Sequence, residues 1–330
     1  MATRDWTDRL ATAITSHPCS SVLAALPILY GVYRVLNAKP ARSTKVPRNG
    51  ERVVVLGASS GIGRSIARQY AERGARVCVV GRRKELVDEV AGECRQVGGR
   101  DVMEFKGDFT NVDEMVQLRA LLNSEWGGLD TLIVAAGVSA LQPLLAIAGA
   151  DVRGSELTST HTTTEGIQRT RSVALAALNG NYIGPLVAAV TFIPLLSATS
   201  KSPAVLLVSS LASVIPAPTR ALYASTKSAS LVLYQALAIE HPQVTFSHVM
   251  PSTVEGDFRA SAVDAGPVRE KDPNKHGLKR EDVARRCLEA VDRREKTVFM
   301  PASMRVAHLL YWVAPKLVER LASRKYNFSP

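Results

Sequence analysis

Arg52-Val-Val-Val-Leu-Gly-Ala-Ser-Ser-Gly-Ile-Gly-Arg-Ser-Ile-Ala-Arg-Gln-Tyr70 is the stretch that decides how this chain folds. Val53 to Leu56 form a short continuous apolar run, the pattern of a strand buried on both faces. The turn Gly57-Ala-Ser-Ser-Gly61-Ile-Gly63 follows, and Ile62, Ile66 and Tyr70 then recur at helical spacing as far as Arg73. Gly74 stands where helices commonly end on a left-handed residue. Strand, glycine turn and helix in this order make a phosphate site. The glycines let the backbone approach closely, and the helix start offers free N–H groups and the positive end of its dipole. The spacing is GxxxGxG rather than GxGxxG, and the strand before and helix after supply the context a lone triplet lacks. Gly57, Ser59, Ser60, Gly61, Ile62 and Gly63 are the candidate contacts of a dinucleotide pyrophosphate.

The alternation continues outward. Strands are expected at Val77–Val80, Val102–Lys106, Thr131–Ala135, Ala204–Val208, Val244–Val249 and Thr297–Met300. Helices are expected at Lys84–Val97, Val112–Trp126, Val173–Leu196 and Tyr223–Ile239. Short buried strands alternating with helices predict an α/β fold, a Rossmann-type doubly wound parallel sheet of about seven strands with helices on both faces. The polar stretch 150–171 contains Thr158-Ser-Thr-His-Thr-Thr-Thr164 and is expected to be an exposed insertion. His161 within it reads as a loop histidine rather than a catalytic one.

With 330 residues, 46% of them apolar and only 5% aromatic, the chain can bury one large helix-on-sheet core. Cys19, Cys78, Cys94 and Cys287 form no CxxC pair and no cluster with histidine, which argues against a zinc site and a disulfide framework, so no metal is expected. The net charge of +11 is not gathered into a basic block interleaved with aromatics, so no nucleic-acid partner is expected either.

Apolar helical segments with basic flanks stand at both ends. Val22–Tyr33 is shorter than the roughly 20 residues of a single span, lacks the order of a signal peptide, and leads into Lys39, Arg42, Lys45 and Arg48. Met304–Leu321 reads as one or two short helices broken at Pro315, with Val306, Leu309, Leu310, Trp312, Val313, Leu317 and Leu321 apolar and Arg305, Lys316, Arg320, Arg324 and Lys325 flanking them. This is the pattern of a helix lying in a membrane interface, the alternative being a helix packed on the domain or on a second subunit. The expected organisation is an anchor and basic linker at 1–48, a Rossmann domain at 49–301 and an amphipathic segment at 302–330. The positive-inside bias puts the domain on the cytosolic face of a membrane, for which the endoplasmic reticulum and the lipid droplet both serve.

An NAD site wants a carboxylate at the end of the second strand, on the ribose 2′-hydroxyl. Here the sequence is Gly81-Arg82-Arg83-Lys84. Arginine suits a 2′-phosphate, and cations placed there only for solvation would oppose the dipole of the next helix. The expected cofactor is therefore NADP(H), held by Arg82 and Arg83. Tyr223-Ala-Ser-Thr-Lys227 sets a phenol and an ammonium four residues apart on one helix face. A cation at that spacing favours acid/base work by a phenol. Ser210, at the end of a strand, lies thirteen residues upstream of Tyr223.

With these motifs the sequence resembles the short-chain dehydrogenase/reductase (SDR) family, membrane-associated type, over Arg52 to Phe258. The resemblance implies that Ser210 polarises the substrate oxygen, Tyr223 donates or accepts its proton, and Lys227 holds the nicotinamide ribose. It implies that Asn181, in Asn181-Tyr-Ile-Gly184, supports a water-borne proton relay. Asp108 and Phe109, in Gly107-Asp-Phe-Thr110, would sit beside the adenine, Ala136 and Gly137 along the cofactor, and Pro251, Thr253 and Val254 toward the nicotinamide. Three motifs depart from the family pattern. Leu56 replaces the opening Thr of the glycine motif, Val134-Ala-Ala-Gly137 replaces Asn-Asn-Ala-Gly, and Pro251-Ser-Thr-Val-Glu-Gly256 replaces the Pro-Gly motif. The implied activity is interconversion of a lipophilic ketone or aldehyde and its alcohol, with Asp257–Lys279 as a lid that orders on binding. A homodimer through the helices around Val173 and Tyr223 is the expected assembly. The rival reading is a catalytically silent NADP(H)-binding scaffold or redox sensor at a membrane, which the altered Val134–Gly137 motif and the Thr-rich stretch favour.

Overall fold

Seven strands build one sheet: β1 (Arg52–Leu56), β2 (Arg76–Gly81), β3 (Val102–Lys106), β4 (Thr131–Val134), β5 (Ala204–Val208), β6 (Thr245–Pro251) and β7 (Thr297–Met300). The computed structural model describes residues 41–150, 152–153, 156–157, 161–260, 262–269 and 272–328. The apolar N-terminal stretch Val22–Tyr33 and part of the Thr-rich segment lie outside them. Every neighbouring pair of strands in the sheet is parallel, in the order β3-β2-β1-β4-β5-β6-β7. The chain winds outward one way from β1 and the other way from β4. A crevice is therefore dictated where those two strands part at their carboxyl ends.

Nine helices of eight residues or more accompany the sheet among the described residues: α1 (Gly61–Glu72), α2 (Lys84–Gln96), α3 (Val112–Trp126), α4 (Thr164–Leu178), α5 (Gly184–Thr199), α6 (Ala221–Glu240), α7 (Arg280–Asp292), α8 (Met304–Val313) and α9 (Pro315–Lys325). Side chains along a strand alternate between faces, and the two cores divide accordingly. Val53 and Val55 join Val77, Val79, Ile66, Tyr70 and Cys287 beneath α1, α2 and α7. Val54 and Leu56 join Cys78, Val80, Leu118, Phe192 and Tyr234 beneath α3, α5 and α6. Each such Val or Leu contributes on the order of 1.5–3 kcal/mol, so these two layers carry most of the stability.

Local signals set the helix ends. Gly74, at φ 84°, closes α1 with Ala75 N–H donating to the Tyr70 carbonyl at 3.1 Å. Asn111 caps α3 by accepting from Glu114 N–H at 3.2 Å. The long helix expected from Val173 begins earlier, at Thr164, where the Thr163 hydroxyl accepts from Gly166 N–H at 3.1 Å. The polar residues 164–171 are thus the first two turns of α4, not part of an insertion. Only Gly166 and Ala177 of that helix are buried, so its outer face had no reason to be apolar. Together α4, the turn that follows it and α5 form a helix of 36 residues, within which an apolar stretch of 18 residues has mean hydropathy 1.7. Phe192, Ile193 and Leu196 bury its second half in the core.

The polar edge opposite the crevice is held by Arg42. Its guanidinium, 1% exposed, donates to the Ser202 carbonyl (2.8 Å), the Asp130 carbonyl (2.9 Å), Thr131 Oγ1 (2.8 Å) and Glu51 Oε1 (2.5 Å). At the other end of the chain, α8 and α9 meet at Pro315, where the sequence placed a break. His308 of α8 stacks on Phe299 at 5.7 Å and its Nδ1 lies 3.2 Å from the Val214 carbonyl oxygen. The outward side of the pair exposes Val306, Leu309, Trp312 and Val313, at 67%, 61%, 75% and 83%.

Candidate active site

The turn after β1 is built for close approach. Gly57 has φ 88°, and a Cβ there would lie 2.5 Å from the Ala136 backbone N, across the gap between β1 and β4. A Cβ on Gly63 would meet the Gly57 carbonyl oxygen at 2.2 Å. Both obstacles are backbone, so neither position accepts a side chain without moving a strand. Gly61, at φ 57°, has nothing within 4 Å of its would-be Cβ and faces the cleft. Ser60 caps α1 without a side-chain bond, leaving the first-turn amides as donors toward the cleft.

At the end of β2, Arg83 Nη2 donates to Ser60 Oγ at 3.3 Å and to Ser59 Oγ at 3.5 Å. Arg82, 70% exposed, lies with Nη1 3.8 Å from Asp108 Oδ2. The Asp108 carboxylate also accepts from Thr110 N–H at 3.0 Å and Thr110 Oγ1–H at 2.9 Å. Two guanidinium groups thus flank the glycine turn. Phe109 packs against Gly184, where a Cβ would clash with its ring at 2.3 Å.

Ser210, Tyr223 and Lys227 line the same cleft as the glycine turn, with Ala136, Gly137, Pro251, Thr253 and Val254. Ser210 ends the strand run from β5 and its Oγ accepts from Ala212 N–H at 3.2 Å. Tyr223 and Lys227 project from one face of α6, and both are buried. Lys227 Nζ donates to the Val208 carbonyl at 3.1 Å. Burial lowers its pKa to about 8, since the low-dielectric site disfavours the ammonium. The Tyr223 ring meets Phe258 edge-on at 6.1 Å and carries the Arg220 guanidinium on its face at 4.5 Å.

Asn181 is wholly buried and stands behind the cleft wall rather than in it. Residues Asn179–Ile183 form a single π-helical turn between α4 and α5, a local widening that often marks functional sites. There the Asn181 side chain accepts from Val138 N–H (2.9 Å) and donates to the Val138 carbonyl (3.0 Å) and Thr226 Oγ1 (3.1 Å). A Cβ on Gly137 would sit 2.9 Å from Asn181 Oδ1 and 3.0 Å from Lys227 Nζ, so amide and ammonium crowd the same glycine. The altered Val134-Ala-Ala-Gly137 motif holds its place through backbone: Ala135 and Ala136 N–H both donate to the Leu56 carbonyl at 2.9 Å.

Sequence reasoning missed three parts of this site. Arg220 precedes Tyr223 by three residues, a helical spacing that could have flagged it. Asp264 docks the segment after β6 by accepting from Leu141 and Gln142 N–H at 2.6 and 2.7 Å. Met304, Leu310, Val318 and Leu321 of α8 and α9 line the cleft. The last two are long-range contacts with no local signature. His161 is exposed and is not among the residues that line the cleft. The cleft encloses about 1390 Å³, beyond the range of about 300–1,000 Å³ for one small ligand and suited to a cofactor with a substrate beside it.

Comparison with known proteins agrees with this geometry. A family model described as short chain dehydrogenase matches residues 51–265. The 11-beta-hydroxysteroid dehydrogenase-like proteins 4A and 4B of Arabidopsis thaliana are 32% identical over 208 residues, 63% of this chain and 62% of theirs. The chain thus spans somewhat less than two thirds of those relatives. The 11-beta-hydroxysteroid dehydrogenase A of Sesamum indicum is 26% identical over 290 residues, 85% of this chain and 77% of that one. Among solved structures, an alcohol dehydrogenase of Thermococcus sibiricus complexed with 5-hydroxy-NADP shares the fold with a TM-score of 0.61 at 23% identity, over 76% of this chain and 95% of its own. A short chain dehydrogenase of Shigella flexneri complexed with NADP matches with the same TM-score at 24% identity, over 76% of this chain and 96% of its own.

Proposed function

The chain belongs to the short-chain dehydrogenase family, and from that membership we propose that it interconverts a lipophilic ketone or aldehyde and its alcohol with NADP(H). The observation that carries this reading is the convergence of Ser210, Tyr223 and Lys227 on the cleft that begins at the Gly57–Gly63 turn. The residues fit the dinucleotide: the glycine cradle would take the pyrophosphate, Arg82 and Arg83 the 2′-phosphate, and Lys227 the ribose beside the nicotinamide. Bound there, the cofactor supplies or takes the hydride.

The protein's own groups do the rest. Ser210 Oγ donates a hydrogen bond to the carbonyl oxygen and orients it. Tyr223 gives that oxygen its proton in reduction and removes it in oxidation. Lys227, drawn between Val208 and Gly137, fixes a positive charge one helical turn from the phenol. Asn181 holds the Val138 backbone and Thr226 in register, and so positions both Gly137 and the face of α6 that carries Tyr223. The names of the Arabidopsis and Sesamum relatives, together with the apolar wall from α8 and α9, support a lipophilic substrate. The outward apolar side of α8, with Arg305 and Lys316 beside it, supports contact with a membrane from its cytosolic side, as at the endoplasmic reticulum or a lipid droplet. Ile167, Leu175, Val232 and Ile239, exposed on α4 and α6, offer a face on which a second copy would pack.

Nicotinamide fluorescence tests the cofactor. The protein should bind NADPH more tightly than NADH, and the double variant Arg82→Ala/Arg83→Ala should lose about tenfold or more of that preference. Equal affinity for the two nucleotides would refute the assignment. The silent-scaffold reading predicts NADPH binding without oxidation by any member of a broad panel of ketones and aldehydes.

A further inference from the structure

Arg220 is a cation with no counter-charge. The residue is 4% exposed and lines the cleft. One face of its guanidinium lies on the Tyr223 ring at 4.5 Å, and Nη1 donates to Ser139 Oγ at 3.1 Å. Nε is enclosed without an acceptor, and among the described residues no carboxylate pairs with the group. Arg42, 1% exposed, is matched with Glu51, and the partly buried Arg52 and Arg73 are matched with Asp130 and with Glu51 and Asp292. Of the acids lining the cleft beyond Tyr223, Glu255 is taken up by Lys279 at 2.8 Å and Asp257 is exposed. Burying a charge without a partner is costly, and the cost is recovered when an anion arrives.

We propose that Arg220 receives a carboxylate of the substrate, so that the preferred substrates are oxo acids with a hydrocarbon chain rather than neutral ketones. This rests on the reductase reading of the cleft and narrows its substrate class. A planar guanidinium matches a carboxylate, and its position on the Tyr223 ring sets that carboxylate a few bonds from the carbonyl the phenol serves. The chain would then run along Met304, Leu310, Val318 and Leu321. Arg259, 8% exposed and next to Phe258, lines the same part of the cleft.

The test compares an acid with its neutral double. With NADPH, a medium-chain oxo acid and its methyl ester are assayed on the wild type, and with NADP+ bound, decanoate and methyl decanoate are titrated by calorimetry. The acid should have a KM lower by about tenfold to a hundredfold, and decanoate should bind more tightly than its ester by a similar factor. Arg220→Gln should bring both ratios toward one, and Arg220→Lys should restore part of them. Turnover of the ester equal to that of the acid would overturn the proposal and leave the reductase reading standing. Decanoate preference lost in Arg220→Gln, with no turnover of either compound, would keep the anion site and sink the reductase reading. Equal binding without turnover would sink both. A purely structural Arg220 would lower both members of each pair alike in the Gln variant and leave no acid preference in the wild type.

Discussion

Replacing Arg42 by methionine should be among the most destabilising single changes in the protein, although it lies at the edge of the sheet opposite the cleft. The guanidinium satisfies two buried carbonyls, Asp130 and Ser202, and pairs with Glu51, itself 1% exposed. Removing one member of a buried pair costs about 3–5 kcal/mol, and the Ser202 carbonyl left unsatisfied adds about 1–3 kcal/mol, whereas the Asp130 carbonyl keeps the Ala204 N–H at 3.0 Å. Two contacts soften the loss: Glu51 keeps Arg73 at its other oxygen and the Thr131 hydroxyl at 2.6 Å, and methionine fills most of the space. A loss of about 4 kcal/mol is therefore expected, a large part of the roughly 5–15 kcal/mol that holds a domain together. At about 2–4 °C per kcal/mol for a unit of this size, Tm should fall by about 8–16 °C. Thermal and urea unfolding followed by circular dichroism measure it. KM and kcat of the folded enzyme at 25 °C should be unchanged, because the contacts lie at the amino ends of β1, β4 and β5. The double variant Arg42→Met/Glu51→Gln should recover part of the loss by removing the stranded carboxylate. A fall in Tm below about 2 °C, or a double variant less stable than the single by a full second increment, would refute the reasoning.

Other consequences follow from the cleft. Gly57→Ala should cost about 2–5 kcal/mol, from backbone strain plus overpacking against Ala136, and should abolish NADPH binding; Gly61→Ala, with open space at its Cβ, should cost only about 1–2 kcal/mol. Lys227→Met should lose turnover yet gain stability. Burial lowers Lys227 from 10.5 to about 8, so between those values the unfolded chain binds a proton that the folded one does not, and wild-type stability rises as the pH climbs from about 8 to 10.5. The rise should approach about 3 kcal/mol in the cofactor-free enzyme and be missing from the variant, as Tm measured across that range will read. Trp312→Glu on α8 should shift the protein from detergent-requiring to salt-extractable in membrane fractionation, whereas unchanged extraction would deny α8 its membrane contact.

Much of this was legible along the chain because it is local. Val102–Lys106, Val112–Trp126, Ala204–Val208 and Thr297–Met300 begin and end where periodicity and turn residues place them. The glycine turn also declares itself, since its strand, glycines and helix are consecutive. The start of α4 was hidden because an exposed helix carries no apolar stripe, leaving only the Thr163 cap to mark it. Asn181 could be picked out by its motif, but not its position behind Gly137, which depends on a π-helical turn that no spacing rule encodes. The Arg42 network joins residues as far apart as Ser202, and the unpaired state of Arg220 exists only once the fold has kept carboxylates away from it. Charge pairing of this kind is a property of tertiary proximity, so the sequence shows which charges exist but not which are matched.

The central claim is that Tyr223 transfers the proton in an NADP(H)-linked carbonyl reduction. The most direct test measures NADPH affinity by fluorescence and turnover on a lipophilic carbonyl for the wild type and Tyr223→Phe. The variant should bind NADPH with unchanged affinity, because the ring, its contact with Phe258 and the neighbouring Lys227 all remain. Its kcat should fall by about 10²–10⁴-fold, the scale of a lost general acid. A phenylalanine variant that turns over at the wild-type rate would contradict the account.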